Sequence, residues 1–279
     1  ALSSAALDVY KRQDLDSEGR ILSNTADEVI TERTKIVAVT HVGNTTGAIT
    51  DIAPMVKRAH EVGAVVVLDA CQSVPHLKID LHALDVDFAA WSAHKMYGPT
   101  GVGFLYGKRD MLEALPPANF GGSMVELAWM DQEAQYMAPP ARFEAGTQPV
   151  AQVVAAGVAA EWLMNIGMEN LEAHERVIAG ELLKMGQIDG VRILGPQTNE
   201  QRIGTVAFEI DGVHPHDVGQ FIDAQGIAIR VGHHCAQPVH RHFGVYASNR
   251  ASSGIYNSVE DAQALVEALK KVRPFFGVE

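Results

Sequence analysis

The run AVVVLD at 64–69, with KIVAVTH at 35–41 before it and DFAAWS at 87–92 after it, decides the fold. Each is a short, β-rich apolar stretch, too short for a helix and bounded by polar residues or glycine. Between the first two lies an amphipathic helical pattern at 51–62, with Ile52, Met55, Val56 and Ala59 on one face. VGFLY at 102–106 supplies a fourth strand. Continuous apolar strands separated by helices predict a sheet covered on both faces, which is α/β architecture. In such sheets ligands sit beyond the carboxyl ends of the strands. The polar residues of interest are therefore those at 41–44, 69–72 and 92–95.

Outward from this sheet the pattern changes. Residues 112–148 are irregular and rich in glycine, proline and methionine, and 151–166 reads as a helix apolar nearly all round, expected to be buried between layers or domains. After Gly167 come a helix at 169–185, strands at 191–194, 203–210 and 227–231, a helix at 215–223 and a closing helix at 259–272. The expected organisation is a large domain over 14–166 and a smaller C-terminal α+β domain over 167–279. Residues 1–13 (ALSSAALDVYKRQ) stand apart. DVYKRQ corresponds to a translated transposon-end adapter, so this segment is expected to be a non-native scar with the natural chain beginning upstream.

Composition narrows the function classes. The 279 residues carry 22 Lys+Arg against 34 Asp+Glu, a formal charge of -12, which argues against nucleic acid or an anionic membrane as the main partner. No apolar run reaches the roughly 18 residues of a membrane span. Two cysteines, Cys71 and Cys235, make no disulfide framework, so a reducing, cytoplasmic setting is expected.

Three stretches carry chemistry. In SAHKMYGPTG (92–101), Lys95 follows a strand end beside His94 and a Gly/Pro turn. Desolvation there would lower its pKa and make the amine competent for a Schiff base, against the bland alternative of a solvated loop lysine. In LDACQS (68–73), Asp69 ends an aliphatic run, where a carboxylate either holds a pyridinium nitrogen protonated or caps a helix. In RVGHHCAQP (230–238), Cys235 lies in a polar loop beside Arg230, His233 and His234, a setting that favours thiolate. A metal site built from His233, His234, Cys235, His240 and His242 is the competing reading, weakened by the lack of a second cysteine cluster. Cys71, directly after a buried strand, is expected to be packing.

VTHVGNTTG (39–47), LDACQSVPH (68–76), DFAAWSAHKMYGPTGVGFLYG (87–107), FEAGT (143–147), RVGHHCAQP (230–238) and NRASSGIYN (249–257) occur in that order. Together they resemble the fold-type I, class V aminotransferase family, in particular its Suf-type cysteine desulfurases and selenocysteine lyases. The resemblance runs from about residue 14 to the C-terminus, and it implies a pyridoxal-phosphate (PLP) enzyme whose large domain is incomplete at its N-terminus. By position it makes Lys95 the Schiff-base lysine, Asp69 the partner of the pyridine nitrogen and Gln72 a contact of the ring oxygen. Ser92 and His94 would hold the phosphate, and Thr147 would reach the phosphate of a neighbouring subunit in a homodimer. Asn44 and Arg250, with Arg230 nearby, would bind the substrate carboxylate, and no metal is implied.

The implied reaction converts L-cysteine, with L-selenocysteine as the alternative substrate, to alanine. It leaves a persulfide on Cys235 for a Suf-type acceptor protein and iron–sulfur cluster assembly. A transaminase, an epimerase or a non-catalytic metal-binding protein are the other readings. The family's upstream phosphate-seating turn and ring-stacking histidine have no counterpart before residue 14, so the chain alone is expected to be poorly soluble and inactive. HVGNTTG stands where HVSNVLG is usual, GTQPVAQ departs from the family's GTPN-like run, and VHRHFGV after Cys235 is richer in histidine than its family counterparts.

Overall fold

The computed structural model describes residues 10–278. The proposed scar therefore lies largely outside the described residues. At its end, the Gln13 amide donates to Leu22 O and Thr25 Oγ1, both at 2.6 Å.

After a single helical turn, α1 (Ala26–Val29), the chain builds β1 (Ile36–Thr40), α2 (Ala53–Glu61), β2 (Val65–Asp69), β3 (Phe88–Ser92) and β4 (Gly103–Gly107). The four strands form one sheet in the order β1-β2-β3-β4, parallel at the first two junctions and antiparallel at the third. The β1–β2 crossover is α2, as its amphipathic period requires. Pro54 occupies its first turn, where a missing N–H costs nothing. Met55, Val56 and Ala59 pack with Val37, Val39, Val66, Leu68 and Ala89.

The expectation of a sheet covered on both faces is corrected. Burial alternates along β1 and β2, because α1 and α2 both pack on one face. The other face leaves Ile36 64% and Leu105 61% exposed. Asp69 belongs to that open face, since its register partner Ala90 is exposed while Leu68 and Ala89 are buried. The side of the sheet without packed helices is thus the side that carries polar chemistry.

Residues 109–148 hold α3 (Arg109–Ala114) and a small hairpin, β5 (Val125–Leu127) with β6 (Gln135–Tyr136). Helix α4 (Val150–Ile166) follows and also departs from expectation: only Ala156, Ala159 and Leu163 are buried, while Val154, Val158 and Met164 are exposed. The three buried positions make one stripe at helical spacing. A helix apolar on every side has more surface than its neighbours here can cover. At Gly167 (φ 89°) the chain turns by 77° into α5 (Met168–Leu183). No single helix among the described residues is long and apolar enough to cross a membrane.

The C-terminal part comprises β7 (Val191–Leu194), β8 (Thr205–Ile210), α6 (Pro215–Asp223), β9 (Arg230–Gly232), α7 (Gln237–His242), β10 (Ser248–Ser252), α8 (Val259–Leu269) and α9 (Val272–Phe276). Its sheet, ordered β7-β8-β10-β9, is antiparallel throughout. Ile178, Leu182, Phe208, Leu265 and Leu269 share its core. The strand expected at 227–231 begins only at Arg230. Strand β10 was not anticipated, because SNRAS is polar, yet its position between β8 and β9 buries Ser248 and Asn249 completely.

The two sheets meet at the turn after β1. Ile203 N–H donates to Gly47 O and Ile49 N–H to Gln201 O, both at 2.9 Å. The buried Arg202 guanidinium donates to the carbonyls of Pro196 and Thr205. Burial lowers its pKa to about 10. Gly47 has φ +70°, and a Cβ there would lie 2.3 Å from Thr205 O. Gly47→Ala therefore combines a left-handed backbone with a clash against main chain, and should cost about 2–4 kcal/mol. A fall in the urea midpoint without a change in m is expected; an unchanged midpoint would show that the junction adjusts freely.

Candidate active site

Asp69 closes β2 on the open sheet face, and its Oδ1 accepts the Cys71 N–H at 3.0 Å. This side-chain turn diverts the chain sharply after the strand and sets Cys71 and Gln72 at its rim. One strand over, Ser92 closes β3 and leads into a single 3₁₀ turn, Ala93–Lys95. Two features pin that turn. Gly98 lies so close to Ala93 O that a Cβ would stand 2.9 Å from it. Tyr97, in the left-handed region at φ 61°, accepts the Ile255 N–H on its hydroxyl at 2.9 Å.

The opposite wall comes from the C-terminal sheet. Past β9 the backbone holds His234 at φ 50° and Cys235 at φ 60°. Two successive non-glycine residues in this region cost on the order of 1–2 kcal/mol each, so the surroundings must enforce the shape. Asn44, in the turn after β1, donates its Nδ2 to His234 O at 2.6 Å. Arg250 on β10 donates Nη1 to Asn44 O at 3.0 Å. Between the walls lies a cleft of about 440 Å³ lined by Asn44, Asp69, Cys71, Gln72, Lys95 and Cys235, among others.

Five of the ten site residues expected from sequence thus share one cleft: Asn44, Asp69, Gln72, Lys95 and Cys235. Ser92 adjoins it through the Cys71 thiol, with which it interacts. Arg250 and Arg230 are register partners across β10 and β9, and Arg250 senses the charge of Cys235. Burial, then the neighbouring Arg230, lowers the pKa of Arg250, whose Nε is buried without a partner. His94 and Thr147 are exposed and do not line the cleft.

Three expectations are corrected. Lys95 is exposed rather than desolvated, because it leaves the 3₁₀ turn over the sheet face that no helix among the described residues covers. Cys71 is a cleft residue and not simple packing: the Asp69 turn points it outward. Burial raises the Cys71 pKa, Asp69 reinforces the shift, and Lys95 and Ser92 oppose it. The proximity of Cys71 was readable from its position two residues past a strand-end aspartate, but its β-rich prefix pointed to packing.

The histidines weighed above as a competing metal site have other partners. His234 and His240 are buried on the Ser248 hydroxyl, His233 stands edge-on to Tyr246 with centroids 5.0 Å apart, and His242 donates Nε2–H to Asp16 O. A second hollow of about 410 Å³ lies beside α2. Its histidine, His60, is held by Asp85 and Asp87, which also bind Lys108, so its charges are already paired in the fold.

A mixed sheet with a strand-end lysine and aspartate, faced across a cleft by an antiparallel domain with an exposed cysteine loop, defines the class of protein. The chain belongs to the class-V aminotransferase family, whose model matches residues 6–265. It is 51% identical to "Probable cysteine desulfurase 2" of Mycobacterium leprae over 249 residues, 89% of this chain and 59% of that protein. It is 46% identical to "Probable cysteine desulfurase" of Streptomyces coelicolor, over 94% of this chain and 63% of that one. The structure of the cysteine desulfurase CsdA from Escherichia coli superposes with TM-score 0.88 at 35% identity, covering 94% of this chain and 64% of the other. The chain thus spans about three fifths of the length of the curated relatives it matches.

The two thiols should respond differently to alkylation. Cys235 is exposed, whereas Cys71 is half-buried with a raised pKa, so iodoacetamide at pH 7 should label Cys235 severalfold faster. The Cys71 rate should go on rising as pH passes beyond the usual thiol range. Peptide mapping against time reads both, and equal labelling at pH 7 would contradict the assignment.

Proposed function

We propose that this chain carries the lysine, aspartate and cysteine of a PLP-dependent cysteine desulfurase. The observation that carries the reading is the convergence of Asp69, Gln72, Lys95 and Cys235 on one cleft from two separate sheets. The residues suit PLP: Asp69 offers an exposed carboxylate at the strand end and Lys95 an accessible amine on the adjacent strand end. When bound, PLP supplies an electron sink that makes the substrate Cα–H acidic and the β-carbon–sulfur bond breakable.

Asp69 would hold the pyridine nitrogen protonated, and Gln72 would meet the ring oxygen. Ser92 and His94 would take the phosphate, with Thr147 serving a second copy in a homodimer. Lys95 Nζ would take the proton from the substrate Cα and return it. Arg250, whose Nε lacks a partner, would bind the L-cysteine carboxylate with Asn44 and Arg230; a guanidinium fork suits that group. The Cys235 thiolate would attack the substrate sulfur. The substrate C–S bond breaks as the S–S bond forms. The C–S electron pair passes to the β-carbon, which takes up the proton that the substrate thiol gives up. The products are alanine and a Cys235 persulfide, whose outer sulfur passes to an acceptor protein. The exposed cysteine in the cleft favours sulfur transfer over transamination or epimerisation, neither of which needs a thiol.

Two sets of variants of the full-length protein test this. Lys95→Ala should abolish the borohydride-reducible cofactor adduct, and Cys235→Ser should keep the cofactor spectrum while losing alanine production; a reducible adduct in Lys95→Ala or turnover in Cys235→Ser would overturn the assignment. Arg250→Ala should raise KM for cysteine about tenfold to hundredfold, the worth of a charge-assisted pair present from ground state to transition state. An unaltered KM would place the carboxylate elsewhere.

A further inference from the structure

The histidine-rich run after Cys235 has a role that sulfur transfer by itself does not call for. Behind the loop, three buried side chains form a single hydrogen-bonded line. His240 Nδ1 lies 3.0 Å from Ala236 O. A carbonyl can only accept, so His240 carries its proton on Nδ1. In the neutral ring its other nitrogen, Nε2, is then a bare acceptor, 2.9 Å from Ser248 Oγ, and the serine hydroxyl donates to it. With its proton spent, Ser248 Oγ must accept in its remaining contact, His234 Nε2 at 3.1 Å. His234 therefore carries its proton on Nε2 and leaves Nδ1 bare, and that atom is buried without a partner among the described residues. One carbonyl thus sets two opposite tautomers through one hydroxyl.

His234 is held from its other side as well, since its carbonyl accepts from Asn44 Nδ2. Ring and carbonyl together fix the residue that precedes Cys235, both in left-handed backbone without glycine. The charged and titratable groups facing the His234 ring are Arg250 on β10, Arg230 on β9 and His240 on α7, with Cys235 adjoining in the loop. Burial, then Arg250, lowers the pKa of His234 to about 4. The ring is neutral above that value and its tautomer persists through the physiological range.

We propose that Ser248 and His240 are positioning residues for Cys235: the line Ala236 O–His240–Ser248–His234 locks the His234 ring in one tautomer and so holds the left-handed turn that presents the thiol to the cleft. The purpose assigned to this lock rests on the sulfur-transfer reading, but the lock itself does not. The first test uses the full-length protein without cofactor, with imidazole nitrogens labelled for NMR. His234 should show a protonated Nε2 and a bare Nδ1, His240 the reverse, and His234 should not titrate between pH 8 and about 5. Ser248→Ala should give His234 mixed tautomers, and Ser248→Thr, which keeps the hydroxyl, should restore the single form. A His234 protonated on Nδ1, or a tautomer unmoved by Ser248→Ala, would overturn the proposal even if the full-length enzyme turns over cysteine.

The second test uses the full-length holoenzyme. Ser248→Ala should lower kcat about tenfold or more, through misplacement of the thiol, with KM and the cofactor spectrum unchanged and with rescue in Ser248→Thr. A proportional rise in KM, or no rescue, would reduce Ser248 to a purely structural role and overturn the positioning claim. If the wild-type enzyme lacked cysteine turnover altogether, the functional reading would fail while the NMR result still decided the lock.

Discussion

The two walls of the cleft are joined at Asn44. Its side chain holds the carbonyl of His234 and its own carbonyl is held by Arg250, so one residue after β1 is tied to two strands' worth of the opposite domain. Each such bond is worth only about 1 kcal/mol net, yet the two hydrophobic cores are separate clusters. The stitch seats the cysteine loop against the turn after β1, while the Ile203–Gly47 and Ile255–Tyr97 bonds hold the two sheets on either side of it. The neighbouring turn reinforces it by means that tolerate little change: Gly47 against Thr205 O, and a buried arginine spending its donors on carbonyls rather than on a carboxylate.

The electrostatics of the cleft are local and run against the whole. The chain carries -12, but Arg230 and Arg250 stand by Cys235 on one wall of the cleft, and Lys95 accompanies Asp69 on the other. Such a field attracts an anion toward the arginine side of the cleft. Keeping His234 neutral belongs to the same arrangement. A third cation beside two arginines would be costly in a buried position, and the tautomer lock removes the need for one.

Much of the fold was legible in the residues because local period and strand-end chemistry are local properties. The runs at 35–41, 64–69, 87–92 and 102–106 became β1 to β4 within a residue or two, and α2 and α6 followed their amphipathic periods. Polar groups just past strand ends, Asp69 and Lys95, could be singled out without coordinates. By contrast, β10 was missed since SNRAS has no apolar alternation. Its strand character comes from pairing with β8 and β9, which are distant in sequence. The same limit hid the exposure of α4 and of one sheet face, since an apolar residue reports a preference for burial but not whether anything arrives to bury it.

The sequence by itself determined the α/β class, the strands of the first sheet with their crossover helix, and the reactive side-chain types at the strand ends and in the cysteine loop. Those follow from period, propensity and the chemistry of single side chains. Only the tertiary structure decided which of them meet: that Cys71 shares the cleft, that Lys95 stands exposed on an open face, that Asn44 holds the cysteine loop, and that His234 and His240 take opposite tautomers on Ser248. Such facts are set by contacts between residues as far apart as Asn44 and His234, and by which proton an acceptor leaves to its neighbour. Neither is written in the run of residues on either side.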